Sequence, residues 1–221
     1  NLITQRVMAI INPLKIIITN YPKGKEEYFK AANNPENKKD GYRNIPFSRE
    51  IYIEKDDFMK NPPEKFFRLT KGTEVRLIHA YYIICDEVVT DKKNSIIELR
   101  CRYDPKSSGG WTDDGRKVRG SLHWVSALHA IEGTINIYNR LFNKENPLDG
   151  ENPDFTQYIN PDSLHTIHNA KLEPFLKNSK ENTKYQFLRK GYFVCDKTSS
   201  KNNLVFNQIV GLRDSWAKKN K

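Results

Sequence analysis

Short runs of β-branched and aromatic residues recur along the whole chain, separated by turn-forming residues, and no useful length carries the 3.6-residue apolar period of a helix. Eight segments read as strands: KIIITNY (15–21), EIYIE (50–54), VRLIHAYYIICDEVV (75–89), IIELRCRY (96–103), SLHWVS (121–126), TINIYNRLF (134–142), KYQFLRKGYFVCD (184–196) and LVFNQIVGL (204–212). Turns between them are expected at Lys71-Gly72, Lys93-Asn94, Gly109-Gly110 and Asp114-Gly115. In IIELRCRY the residues Ile97, Leu99, Cys101 and Tyr103 share one face, and Glu98, Arg100 and Arg102 share the other, the pattern of a strand with one wet side.

Many short antiparallel strands at this spacing predict an all-β protein built of barrels or sandwiches. Two tandem antiparallel β-barrels with a few short helices are expected, because NKENPLDGENPD (143–154) is a polar break bearing Pro and Gly after which the strand pattern resumes. The first barrel region is placed at 1–142 and the second at 143–221, with strands open to exchange between them. A short helix is expected in NPDSLHTI (160–167), capped by Asn160 or Asp162.

Composition adds a partner class. The 221 residues are 37% hydrophobic and 11% aromatic, enough for real cores, and 37 Lys+Arg against 27 Asp+Glu leave a net charge of +10. Such a balance favours a polyanion such as nucleic acid. The most apolar run, AIINPLKIII, is broken by Asn12, Pro13 and Lys15, so no membrane span is expected, and no signal peptide is read at the start. Cys85, Cys101 and Cys195 are odd in number and set in strand-like sequence, which fits buried reduced thiols of a cytoplasmic protein. Asn1 stands where an initiator methionine would, and the chain is expected to be a fragment of a longer polypeptide.

The stretch GRKVRGSLHWVSALHA (115–130) looks at first like an active site. Ser126 and His129 lie three apart, however, without a G-x-S-x-G turn or an evident acid partner, so their expected role is structural, with a Ser/His hydrolase as the alternative from another class. His165 and His168 have no matching ligand pair, and no metal is expected. GRKVRG lacks the spacing of a phosphate loop, which leaves Arg116, Lys117 and Arg119 as candidate phosphate contacts. RLTKGTEVRL reads as a hairpin around Lys71 and Gly72 that would set Arg68 opposite Arg76. Like charges so placed are destabilising unless an anion or an acceptor-rich base lies between them, and two splayed surface arginines are the competing reading. In YQFLRKGYF, Gln186 and Arg189 sit among Tyr185, Phe187, Tyr192 and Phe193, a combination that proteins use to stack on unpaired bases and bond their edges, with core packing as the default role of those aromatics. Their spacing of three puts Gln186 and Arg189 on opposite faces of a regular strand, so one site can use both only if a bulge or the strand's end intervenes.

Eight blocks then converge in order from Arg6 to Trp216: RVMAIINPLKIIITNYP, IPFSREIYIEKDDF, KFFRLTKGTEVRL, GRKVRGSLHWVSA, YNRLF, INPDSL, YQFLRKGYFVCD and FNQIVGLRDSW. Together they resemble the C-terminal anticodon-binding region of bacterial-type glutaminyl-tRNA synthetase. The resemblance implies two β-barrels, of the kind also found in a ribosomal 5S-RNA-binding protein, placed after a catalytic domain and gripping the anticodon stem-loop of tRNA(Gln). The anticodon region of a glutamyl-tRNA synthetase is the rival within the same class.

Carried over position by position, Arg6, Gln186 and Arg189 match readers of the middle anticodon base, Arg68 matches a reader of the third, Arg76 matches a cation near the first base, and Lys65 is a further RNA-binding candidate beside Arg68. Ile78 and Phe67 stand where relatives carry polar or cationic residues, and Gln208 stands where an arginine is common. The HIGH-like and KMSKS-like nucleotide motifs are absent from this sequence. The resemblance therefore implies a monomeric, cytoplasmic RNA-binding piece of an aminoacyl-tRNA ligase with no catalytic residues and no cofactor of its own. ATP and Mg would belong to the catalytic domain of the full-length enzyme, which is also the piece's expected protein partner.

Overall fold

The structure is a computed structural model that describes residues 4–116, 118–149 and 154–212. In chain order the strands are β1 (Gln5–Val7), β2 (Ala9–Ile10), β3 (Pro13–Ile18), β4 (Glu27–Ala32), β5 (Tyr42–Phe47), β6 (Glu50–Glu54), β7 (Glu74–Leu77) and β8 (Tyr82–Thr90). They continue with β9 (Ile96–Asp104), β10 (Ser121–Leu122), β11 (Val125–Ser126), β12 (Ile131–Tyr138), β13 (Leu164–Leu172), β14 (Lys184–Phe187), β15 (Gly191–Cys195) and β16 (Leu204–Gly211). The only helices among the described residues are short turns such as Lys55–Asp57, Phe155–Tyr158 and Pro174–Asn178.

Two seven-stranded, barrel-like sheets result, ordered β10-β7-β8-β9-β3-β6-β11 and β1-β14-β15-β16-β12-β13-β2, with β4 and β5 forming a separate ribbon. Each large sheet returns on itself in the same way. The two outer strands of the first, β10 and β11, are separated in sequence only by His123 and Trp124, and those of the second, β1 and β2, only by Met8. Such closure leaves little unpaired sheet edge.

The alternation of one short N-terminal strand serves both cores. Val7, Ala9 and Ile11 pack into the second core, beside Phe187, Phe193 and Phe206, while Met8 and Ile10 pack into the first, with Ile16, Phe47 and Trp124. Fully burying one such aliphatic or aromatic side chain contributes about 1.5–3 kcal/mol, so a one-residue slip of this strand would damage both cores at once. Two buried carboxylates hold its backbone in register. Glu54, at the end of β6, accepts the amides of Ile11 at 2.7 Å and Asn12 at 3.2 Å. Glu173, just after β13, accepts the amide of Met8 at 3.0 Å and pairs with the buried Arg43 of the ribbon.

Several expected elements take a different form. The run 75–89 is two strands, β7 and β8, joined by a tight turn in which His79 has φ of 65° and the Ala80 amide bonds the Leu77 carbonyl at 3.0 Å. SLHWVS splits into β10, parallel to β7, and β11, antiparallel to β6. No helix forms over 160–167: Asn160 closes a turn by accepting the Asp162 amide at 3.0 Å, and β13 follows at once, paired with β12. In the expected break at 143–154, residues 150–153 lie outside the described residues, and β12 before it and β13 after it belong to the same sheet. The two faces of β9 are as expected in its second half, with Arg100 and Arg102 exposed and paired to Glu87 and Asp86 across the strand, over a buried Leu99 and Cys101, but Ile97, expected on the dry face, is exposed. All three cysteines are free and buried.

Candidate nucleic-acid interface

Parallel pairing of β1 with β14 sets Arg6 opposite Gln186, and Arg6 Nε donates to Gln186 Oε1 at 2.9 Å. Glu36 takes a second bond from the Arg6 guanidinium. Tyr185 and Phe187 on either side of Gln186 are buried, so alternation turns Gln186 outward. Three residues on, the strand has ended: the hairpin turn into β15 holds Arg189 at φ of 65°, with the Lys190 amide bonded to the Phe187 carbonyl at 2.9 Å. The geometric obstacle posed by a spacing of three is thus removed by the end of the strand.

Arg189 forks onto Asp57, Nη1 to Oδ2 at 2.6 Å and Nη2 to Oδ1 at 2.7 Å. Arg68 approaches the same carboxylate, with Nη1 3.0 Å from Oδ1, and donates to the Asp56 carbonyl at 3.1 Å. Asp57 is buried and both arginines are partly exposed, so one buried anion anchors two cations that present their outer edges to solvent. Sequence reasoning missed Asp57. Its signal was available in the paired acids Asp56-Asp57, one residue beyond the strand-like EIYIE, because an acid buried at a strand's end needs a cation partner.

The expected facing of Arg68 and Arg76 does not occur. The turn is present, with Gly72 at φ of 78° and the Thr73 amide bonded to the Thr70 carbonyl at 3.1 Å, but its arms do not pair with each other. Leu69 bridges Phe58, Lys71 bridges Cys85, and β7 pairs with β8 and β10. Arg76 instead sits opposite Ser121, whose Oγ accepts from its Nε at 3.0 Å and Nη2 at 2.8 Å. Lys65 lies exposed in the loop before Arg68. The structure therefore joins Arg6 to Gln186 and Arg68 to Arg189, links the two pairs through the β14–β15 hairpin, and leaves Arg76 and Lys65 apart from both.

The stretch 115–130 divides into separate roles. Arg116 is held by Glu74, Asp104 and Asp114, and the hydrogen bond to Asp104 is foremost in raising its pKa. Arg116 is thus tied to acids from three directions; Lys117 lies outside the described residues. Ser126 does have an acid within reach, contrary to expectation: its Oγ meets His129 Nδ1 at 2.8 Å, and His129 Nε2 meets Glu26 Oε2 at 3.0 Å. Ser126 is only 2% exposed and its oxygen also contacts Ser48 Oγ at 2.7 Å, so no acyl carbon can approach it, and the relay is structural. Among the described residues, no group of three or more His, Cys, Asp and Glu side chains is placed to hold a metal ion, and no helix is long and apolar enough to cross a membrane.

Arg6, Arg68 and Arg189 and the Gln186 amide are thus gathered on elements of the two barrel-like β sheets. Two family models match the chain in tandem, both described as the anticodon-binding domain of class I (E and Q) tRNA synthetases, over residues 4–104 and 121–196. The chain belongs to this family of anticodon-binding domains. It is 52% identical over 212 residues to the glutamine–tRNA ligase of Clostridium kluyveri, covering 96% of this chain and 38% of the relative. The glutamine–tRNA ligase of Nitrobacter hamburgensis is 49% identical with the same coverage of each chain, and that of Neisseria meningitidis is 46% identical over 97% of this chain and 39% of its own. The chain thus spans under two-fifths of the length of these relatives.

Proposed function

We propose that this chain reads the anticodon stem-loop of tRNA(Gln) for a glutamine–tRNA ligase, whose ATP- and Mg-dependent joining of glutamine to tRNA is carried out by a catalytic domain not contained in residues 1–221. The carrying observation is the shared anchoring of Arg68 and Arg189 on Asp57, next to the Arg6–Gln186 pair. A guanidinium fixed on one side by a buried carboxylate offers its remaining donors in a set direction, which is what discrimination between base edges requires.

In this reading Arg6, Gln186 and Arg189 contact the middle base, Arg68 with Lys65 the third, and Arg76 the first. A wrong base leaves these polar groups unpaired at a cost of about 1–3 kcal/mol for each mismatched position. Affinity comes mainly from phosphate contacts and falls steeply with salt, in keeping with the net charge of +10. The protein acts as a monomer in the cytoplasm, docked on its own catalytic domain.

Arg189→Ala tests the assignment through equilibrium binding to the tRNA(Gln) anticodon stem-loop and to one with a changed middle base. A loss of about tenfold or more is expected for the first and a smaller loss for the second. Equal losses for both RNAs overturn the assignment of Arg189.

A further inference from the structure

Two large aromatic side chains are held in solvent on the face around β7 and β10. Trp111 is 73% exposed and Phe67 is 51% exposed, and each has a guanidinium over its ring: Arg76 at 5.6 Å from the Trp111 centroid and Arg119 at 5.5 Å from that of Phe67. The two pairs are neighbours, since the Arg76 amide donates to the Gly120 carbonyl at 2.9 Å and a Cβ at Gly120 would lie 2.8 Å from the Phe67 carbonyl oxygen.

The Trp111 pair is built rather than incidental. Ser121 fixes Arg76 by two hydrogen bonds. Gly109 and Gly110, at φ of 80° and 84°, carry the chain so close that a Cβ on Gly110 would meet Arg76 Cδ at 3.0 Å, and Trp111 follows directly. The nearby acids Glu74, Asp104 and Asp114 are all turned onto Arg116, whose single positive charge offsets one of their three negative charges, so Arg76 and Arg119 are left unpaired with them.

We propose that Trp111 and Phe67 are stacking platforms for two unpaired bases of a bound RNA loop, with Arg76 and Arg119 placed to meet the flanking phosphates or base edges. The proposal rests on the anticodon-binding reading, which already uses Arg76, and extends it to Trp111, Phe67 and Arg119. An exposed aromatic ring with a cation on one face and solvent on the other has the form of a sequence-tolerant base platform, in which stacking provides the contact and the cation adds to it. The cations over both rings favour RNA over an apolar protein partner.

Binding of the tRNA(Gln) anticodon stem-loop is measured by anisotropy for the wild type and for Trp111→Ala, Trp111→Phe and Phe67→Ala, and again with each loop base in turn replaced by an abasic nucleotide. Trp111→Ala is expected to weaken binding by about 5- to 100-fold and Trp111→Phe by much less, since a smaller ring still stacks. One abasic position should abolish the difference between wild type and Trp111→Ala, and another that between wild type and Phe67→Ala. Binding within twofold of wild type for both alanine variants, or a loss that no abasic position removes, overturns the platforms while leaving the anticodon reading intact. Failure of the wild type to bind the stem-loop overturns the anticodon reading and the platforms with it.

Discussion

His123, at the point where the first sheet closes, reaches the backbone of Ala9, where the second sheet closes, with Nε2 3.1 Å from the Ala9 carbonyl oxygen. A carbonyl only accepts and a guanidinium only donates, so the partners assign the ring: Nε2 carries the proton and Nδ1 faces Arg189 Nη1 at 3.3 Å. One buried imidazole therefore ties the two closures together and supports the hairpin that carries Arg189. His123→Ala removes the bond, leaves the Ala9 carbonyl without this donor and opens a cavity. An expected loss of about 2–4 kcal/mol in urea unfolding follows, with the conservative His123→Gln recovering part of it. A loss below about 0.5 kcal/mol would mean that His123 does not join the sheets.

Asp57 bears on specificity rather than on contact with RNA. Asp57→Asn keeps the shape and removes the charge that anchors both Arg68 and Arg189. Binding to an RNA with a changed anticodon is expected to hold steady or to tighten slightly, because a negative charge is lost from a basic surface. Binding to the cognate stem-loop is expected to weaken by about tenfold, roughly the 1.4 kcal/mol cost of one poorly held base contact. The checking quantity is the ratio of the two dissociation constants, and an unchanged ratio would show that the carboxylate has no part in orienting its arginines.

Strands with a one-sided apolar pattern were legible from the sequence, as in β9, because alternation over eight or nine residues has no competing explanation. The ribbon of β4 and β5 was not: its burial does alternate along β4 and most of β5, but EYFKAA and YRNIPF place Ala, Arg and Asn among the inward and outward positions, so residue type does not mark the two faces. β13 was hidden for a related reason, being mostly polar and exposed on both faces until Ala170 and Leu172. The positions of Gln186 and Arg189 could be chosen from residue chemistry, but the partner that holds Arg189 lies 132 residues away in sequence. No local pattern announces such a pairing. Arg68 and Arg76 show the opposite failure: the turn between them was correctly placed, yet long-range partners took both arms, so local spacing gave the wrong neighbour.

Arg43 and Glu173 form a second tie, between the ribbon and the second sheet, and both are almost fully buried. Arg43→Ala leaves the Glu173 carboxylate buried with only the Met8 amide and partial contacts to offset it, at an expected cost of about 3–5 kcal/mol. The double variant Arg43→Met with Glu173→Gln removes both charges and keeps an oxygen to accept the Met8 amide. Its expected cost is smaller than that of Arg43→Ala alone, as thermal or urea unfolding would register. A double variant less stable than the single would indicate that the ion pair itself is strongly stabilising.

Glu54 gives the seam a dependence on acid. Burial pushes its pKa up, but the His123 ring with Nε2 3.7 Å away, the Lys190 ammonium at 2.9 Å and the Ile11 amide together outweigh burial and hold the carboxyl below its ordinary value of 4.5. A carboxyl whose folded pKa lies below its unfolded one binds fewer protons when folded, so its stabilisation is complete above pH 4.5 and is lost as pH falls through the lower folded value. Glu54→Gln cannot titrate, and it weakens the contacts to Lys190 and to the N-terminal strand, so it is expected to be less stable at pH 7 by about 2 kcal/mol. That gap should narrow steadily as pH drops from about 5 towards 3, because the wild-type carboxyl becomes protonated and comes to resemble the amide. Urea midpoints of the two proteins across this range measure it directly, and a gap that stays constant down to pH 3 would show that the charge on Glu54 contributes nothing to the joint between the sheets.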